Sequence, residues 1–503
     1  MFTRIFRSSD WIERVLLCRV IYYVVGSWLV CMAFEHIRHF VGTPTRRDFL
    51  QRAGAGFGTV ALADMFMEDG AASAPPIARK GKAKRVIWLF MNGGPSHVDT
   101  WDYKPNLAKL DGKELKGFDS ATGFFADSVG PIMKSPFQFA QHGKSGSFVS
   151  EIFPQMAQHV DDMAFIHSCY TETNNHSPAL FQINTGFSRM GYPSVGAWVT
   201  YGLGSMNKSL PSFVVMVDTL GRGLPKGYAQ NWGSGFLPGV YQGTSLRHQG
   251  QPIDDLERVQ SDTAQRAQLD LLGKWNKHHL ATLGTDPRLA ARIESFELAY
   301  RMQMAAPEAL EIANETQVTR DLYGVDRKEC GHFARQCLMA RRLAEKGVRF
   351  IQIYSGGEEN EKSWDGHTDI GGNHRGFAGE TDRPIAALLT DLKQRGMLDD
   401  TLVVWCGEFG RLPLVQRGGT GRDHNPHAFT CWMAGGGVKP GVHHGETDEI
   451  GHKAVKDRVS INDLHATILH LLGIDHTKLT YHFNGRNFRL TDVAGNVVKQ
   501  IVA

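Results

Sequence analysis

The sequence predicts a three-layer α/β/α sandwich on a mostly parallel central sheet. Three observations predict it. Short β-branched, continuously apolar runs recur along the chain, as strands buried on both faces of a parallel sheet require. Segments with apolar residues at helical spacing separate them, and strand alternating with helix is the pattern of a doubly wound sheet. Polar, ligand-rich stretches follow several of the runs directly, where such sheets bind their ligands.

The runs cover residues 85–91, 164–167, 213–217, 348–354, 401–406 and 429–434. Helical spacing covers 256–281, 288–313, 329–346 and 381–395, the last two stopped by Gly347 and Gly396. Residues 218–250, rich in glycine and aromatics, read as a long loop able to wall a pocket. The domain is expected over 84–475, with a tail at 476–503.

Composition narrows the function classes. Apolar residues at 42% and charged ones at 21% exclude a disordered chain. A net charge of +3, with no basic block interleaved with aromatics, argues against nucleic acid as a partner. Seven cysteines (18, 31, 169, 330, 337, 406 and 431) form no CxxC pair and no even framework. The last five read as small buried hydrophobes.

The amino-terminal region reads as an address. Arg46 and Arg47 precede a weakly apolar Ala/Gly stretch, and Ala72-Ser73-Ala74 stands before two prolines. Paired arginines, a modest apolar region and a small-x-small site make residues 45–74 a twin-arginine export signal, which sends a folded protein to the periplasm or beyond. Within residues 1–44, the run 20–34 is short for a membrane span and Arg19 interrupts its upstream side. An upstream-start artefact, with Met32 opening the leader, is the expectation there; an anchor is the alternative.

Chemistry gathers behind three strands. "NGGPSHVDTWD" follows the first and carries Asn92, His97 and Asp99. "SWDGHTD" offers Asp365 and His367, a carboxylate and an imidazole two residues apart in a loop, both good ligands for a divalent metal. "VVWCGEFGR" delivers Glu408 and Arg411, and "GRDHNPH" adds Arg422, Asp423, His424 and His427 before another strand. Charge in the low-dielectric floor of a sheet is costly unless paired or metal-bound. A solvated ion-pair network is the alternative for the set, and turn chemistry for His97 and Asp99.

These motifs resemble the alkaline-phosphatase-like superfamily of sulfatases, phosphatases and cofactor-independent phosphoglycerate mutases. "DGHTD", "TLVVWCGEFG", "DHNPHAFTCWMAGGGVKPG" and "INDLHATILHLLGI" resemble that superfamily's metal loop, acidic strand end, late-histidine segment and carboxyl-terminal helix. "NGGPSHVDTWDYKP", "TNNHSPALFQINTG", "WDGH" and "GRDHNP" are similar, more closely, to a twin-arginine-exported family on that fold known only as domain of unknown function 1501. The resemblance implies divalent metals (zinc, calcium or magnesium) held by Asp365, His367, Glu408, Asp423 and His424. Asn92 stands where the superfamily has an aspartate, so His97 or Asp99 is expected to supply the missing charge. Counting back from Thr185-Gly186 by the superfamily spacing reaches His176 and Ser177. Ser177, a metal-activated water or His176 is the candidate nucleophile, with Arg411 or Arg422 clamping the anion. For Ser177 a helix cap before Pro178 is the alternative. No sulfatase C-x-P-S-R motif exists. The implied function is hydrolysis of phosphate or sulfate esters on a small molecule or glycan. The alternative is a non-catalytic relative that binds anionic glycans or envelope partners; a phosphomutase is a third, with no cap domain evident.

Overall fold

The computed structural model describes residues 81–246, 261–283 and 287–503. The twin-arginine segment and the 20–34 run lie outside the described residues. Strand β1 (Arg85–Met91) shows why its sequence is apolar without alternation. Ile87, Leu89 and Met91 enter one core while Val86, Trp88 and Phe90 enter another, so both faces of the strand are buried.

Eight further strands complete the sheet: β2 (Met163–Tyr170), β3 (Phe213–Met216), β4 (Thr244–Leu246), β5 (Phe350–Ser355), β6 (Thr401–Cys406), β7 (Phe429–Ala434), β8 (Val442–His444) and β9 (Val459–Ser460). Their order is β8-β2-β7-β6-β1-β5-β3-β4, with β9 also paired to β2. Every pairing is parallel except those of β7, which runs against both β6 and β2. That single reversal has a geometric consequence. The residues entering β7 share an edge with those leaving β1, β2, β5 and β6, so His424 arrives where Asn92, His176, Asp365 and Glu408 arrive.

Helices cover both faces. α1 (His176–Thr185), α2 (Val195–Leu203) and α7 (Ile461–Leu471) pack Leu180, Trp198, Leu464 and Ile468 onto one face. α4 (Pro287–Leu310), α5 (Gly331–Glu345) and α6 (Ile370–Gln394) pack Ala306, Phe333, Cys337 and Leu388 onto the other. α3 (Asp262–Leu283) precedes α4 in the chain. The three-layer expectation holds.

Three expectations are corrected. The helix expected from residue 381 begins at Ile370, with Asp369 as its cap accepting from Gly372 N at 3.0 Å. Gly371, Gly372, Gly376 and Gly379 are weak helix formers and disguise those first turns as loop. The expected 218–250 loop contains 3₁₀ turns at Tyr228–Trp232 and Gly239–Tyr241 and then β4, as far as residue 246. Residues 476–503 are no detached tail, because Leu479, Leu490, Val498 and Ile501 belong to the same core as β1. The five described cysteines are buried free thiols. No helix among the described residues is long and apolar enough to cross a membrane.

Candidate metal centre

The turn after β1 is built to let three loops meet. Gly93 and Gly94 take φ of +107° and +71°. A Cβ on Gly93 would stand 2.6 Å from Ser363 Oγ and 2.7 Å from Asp365 N, so only glycine lets the turn lie against the loop after β5. Gly93 N, freed from the sheet, donates to both carboxylate oxygens of Glu408 at 3.0 and 3.2 Å.

Four ligating side chains converge beyond that turn: His176, Asp365, His367 and His424, with their donor atoms all within 4.8 Å of one another. Asp365 is the hub. Its Oδ1 lies 2.8 Å from His367 Nε2 and 3.3 Å from His424 Nε2, and its Oδ2 lies 3.2 Å from His176 Nε2. The two imidazole nitrogens of His367 and His424 are themselves 3.0 Å apart.

His424 Nδ1 lies 2.6 Å from the backbone carbonyl of Asn174, which can only accept. His367 Nδ1 lies 2.7 Å from Gln416 Oε1. In both rings Nδ1 is the donor to these partners, and Nε2 turns inward toward Asp365 Oδ1. Burial, followed by the nearby His176 charge, pushes the His424 imidazole well below its ordinary range, so it stays neutral. The two Nε2 atoms and the Asp365 carboxylate then converge on one point. Imidazole nitrogens and a carboxylate grouped so closely match the ligand set of a divalent cation. Metal-bound histidines characteristically fix their second nitrogen on a carbonyl or carboxylate in this way. Three nitrogens and one oxygen suit zinc or a similar borderline cation, whose bonds of about 2.0–2.2 Å put ligand atoms roughly 3.3–3.6 Å apart.

His176 opens α1, whose N-cap is Asn175. Its Nδ1 lies 2.7 Å from Glu408 Oε1. Burial opposes its charge, but Asp365 and Glu408 outweigh burial and raise its pKa to about 9. At Asp365 burial is likewise overcome, here by Arg411 and His176, and its carboxyl is held well below the usual carboxylate range.

The remaining expected residues fall as follows. Arg411 is fully buried; its Nη2 donates to Asp365 Oδ1 at 2.6 Å and to the Gly93 carbonyl, while Nε and Nη1 go to the carbonyls of Gly94 and Arg422. Arg422 is not brought to the cluster. It grips Asp99 with Nε at 2.7 Å and Nη2 at 3.2 Å, which removes both residues from the roles expected of them, anion clamp and metal ligand. His97 is buried and donates through Nε2 to the Gly451 carbonyl 2.7 Å away. Asp423 is a loop staple, accepting from His424 N and Phe125 N at 2.7 Å each. Asn92 turns Nδ2 onto the carbonyls of Gly357 and Glu358 at 2.6 and 3.2 Å, while its buried Oδ1 has no hydrogen-bond partner among the described residues. Glu408 touches the cluster through His176 rather than joining the four. His176 commits Nδ1 to Glu408, and its buried Nε2 faces Asp365 among the other ligating atoms. Ser177 is the second residue of α1, half-buried, and it donates its backbone N–H to the Asn175 cap rather than capping the helix itself. Sequence reasoning missed Asn174 and Gln416, whose role depends on contacts 250 and 49 residues away. "TNNHSP" was the available signal for Asn174.

Over residues 83–502 the chain matches the family described as "Protein of unknown function (DUF1501)". The chain belongs to DUF1501. No functionally curated protein matches it. Solved structures similar to this DUF1501 chain include a phosphonate monoester hydrolase from Silicibacter pomeroyi, at 12% identity over 78% of this chain and 73% of that one, with a TM-score of 0.34. A sulfatase from Pseudoalteromonas sp. is 13% identical over 83% and 70%, TM-score 0.32. Alkaline phosphatase from the Antarctic bacterium TAB5 is 11% identical over 79% and 99%, TM-score 0.32.

Proposed function

We propose that this DUF1501 chain is a metal-dependent hydrolase of phosphate or sulfate esters on a small molecule or glycan, exported by the twin-arginine route. One observation carries the reading: the Nε2 atoms of His367 and His424 lie 3.0 Å apart beside Asp365, with both Nδ1 positions already committed. His176, Asp365, His367 and His424 would hold a divalent cation. When bound, it would polarise the ester oxygen and lower the pKa of the attacking hydroxyl or water.

The chain's own groups have distinct work. Glu408 orients His176 through Nδ1, and Gly93 N fixes Glu408 in turn. Arg411 holds Asp365 ionised and in place. Ser177, next to His176 at the start of α1, is the side-chain candidate for attack; water is the other. Screening metal-loaded protein on aryl phosphates and aryl sulfates tests the reading. Turnover of one class, abolished by His367→Ala, is expected; tight metal retention with no turnover of either class would contradict it.

A second reading is a non-catalytic relative that binds an anionic glycan or envelope partner through its cation. It is favoured by the engagement of both Arg411 and Arg422 with protein groups, and by the finding of one four-donor group among the described residues. The route of export is tested apart from the chemistry: Arg46→Lys with Arg47→Lys is expected to hold the protein in the cytoplasm.

A further inference from the structure

We propose that Phe124 and Phe125 are specificity-determining residues, a lip that takes the ring of a substrate next to its ester group. The proposal rests on the hydrolase reading and names the substrate class more narrowly. Two adjacent phenyl rings are left 46% and 41% exposed, perpendicular to each other with centroids 5.0 Å apart. Isolated exposed apolar side chains are ordinary, but a pair held at the mouth of a polar site is a surface with an apolar face to offer.

Position gives that face its meaning. Of the four ligating residues, His367 alone is not buried, so the cluster opens on its side. Phe125 stands edge-on to the His367 ring at 5.1 Å, and Phe124 lies 5.6 Å from the His424 ring. A group attached to an ester oxygen at the cluster and directed outward would pass over these two rings.

The lip is also built rather than loose. Phe125 N donates to Asp423 Oδ2 at 2.7 Å, and the other oxygen of the same carboxylate accepts from His424 N. Asn174 Nδ2 donates to the carbonyls of Gly123 and Thr122 at 2.7 and 3.2 Å, while the Asn174 carbonyl accepts His424 Nδ1. A Cβ on Gly123 would fall 2.4 Å from Asp423 Oδ2, so that residue must be glycine for the staple to close. The two residues that orient His424 therefore also fix the height of the phenyl rings above it. Preorganisation of this kind is expected of a substrate contact.

The shared ligand chemistry is a flat ring face with C–H or π character, supplied by an aryl group or by the C–H face of a pyranose. A short alkyl ester cannot use it. Calorimetric titration of metal-loaded protein with methylphosphonate, phenylphosphonate, methanesulfonate, benzenesulfonate and glucose 1-phosphate tests the proposal. Wild type is expected to bind the phenyl member of its preferred pair roughly tenfold more tightly than the methyl member. In Phe124→Ala/Phe125→Ala that advantage disappears while the methyl member binds as before. Phe124→Leu/Phe125→Leu, which keeps apolar bulk and removes the flat face, loses most of it too. A parallel loss for glucose 1-phosphate identifies the pyranose source; an unchanged value identifies the aryl one. The proposal is overturned if the ring advantage survives both variants, if it is missing in wild type although the methyl anions bind, or if methyl and phenyl members weaken together, which would mean the rings act only by positioning His424. If no anion binds the metal-loaded protein, the hydrolase reading itself fails and the lip with it.

Discussion

Two groups of buried charge lie behind neighbouring loops at the same sheet edge, and they differ in one respect. Asp99 and Arg422 are both fully buried and satisfy each other: two guanidinium nitrogens meet two carboxylate oxygens, Ser96 Oγ adds a donor, and the carbonyls of Leu412, Met133 and Lys134 take the rest. Arg422 outweighs the burial penalty at Asp99 and keeps its carboxyl ionised. The Asp365 group has no such closure. Arg411 reaches Asp365 Oδ1, yet the Nε2 atoms of His176, His367 and His424 also crowd that carboxylate. The residue types are much the same, so burial of charge does not by itself mark a ligand site. Several ligating atoms within one coordination shell do.

That contrast can be broken most severely from the closed side. Removing one partner of a buried pair strands the other, so Asp99→Ala is expected to lower stability by roughly 3–5 kcal/mol in denaturant unfolding. Its retained metal content should match wild type; loss of metal from a folded Asp99→Ala protein would place Asp99 among the ligands after all. Next comes Gln416→Ala. It removes the acceptor that fixes His367 and is expected to weaken metal binding by roughly 10–100-fold, with little change in the unfolding midpoint of metal-free protein. Competition with a chelator of known affinity would measure it, and an unchanged affinity would show that His367 does not depend on that partner.

Acidity sharpens the same difference by a smaller amount. The folded-state pKa of His176 is raised to about 9, above the ordinary 6.5 of an unfolded histidine. Its pairing with Asp365 and Glu408 therefore stabilises metal-free protein fully below pH 6.5, and that contribution is lost as pH rises through 9. The stability gap between metal-free wild type and His176→Asn should shrink over that interval; a gap that widens would contradict the assignment. The smallest effect is expected at Cys169, a buried thiol within β2. Cys169→Ser should leave any ester turnover unchanged, since no cysteine is assigned a formyl-glycine role.

The sheet was legible because strands buried on both faces must be apolar throughout, and β1, β6 and β7 fall on residues 85–91, 401–406 and 429–434 as expected. Asp365, His367 and His424 were legible as a set because their loops leave or enter neighbouring strands. What separated them from Asp99 and Arg422 was not legible, since that depends on which acid meets which guanidinium across 323 residues. His176 was located by spacing but read as an attacking group, because its two carboxylate partners lie 189 and 232 residues further along the chain. Phe124 and Phe125 gave no signal, sitting in a segment of small and acidic residues with no periodicity to show that its rings would reach two histidines.

Elemental analysis of purified, dialysed protein tests the central claim most directly, with wild type and Asp365→Ala prepared side by side. The account predicts that wild type keeps a divalent ion through dialysis and that Asp365→Ala, with its fold verified by the same unfolding measurement, does not. Equal metal in the two proteins, or none in wild type even after incubation with zinc, would mean that His176, His367 and His424 face one another for some reason other than a shared cation.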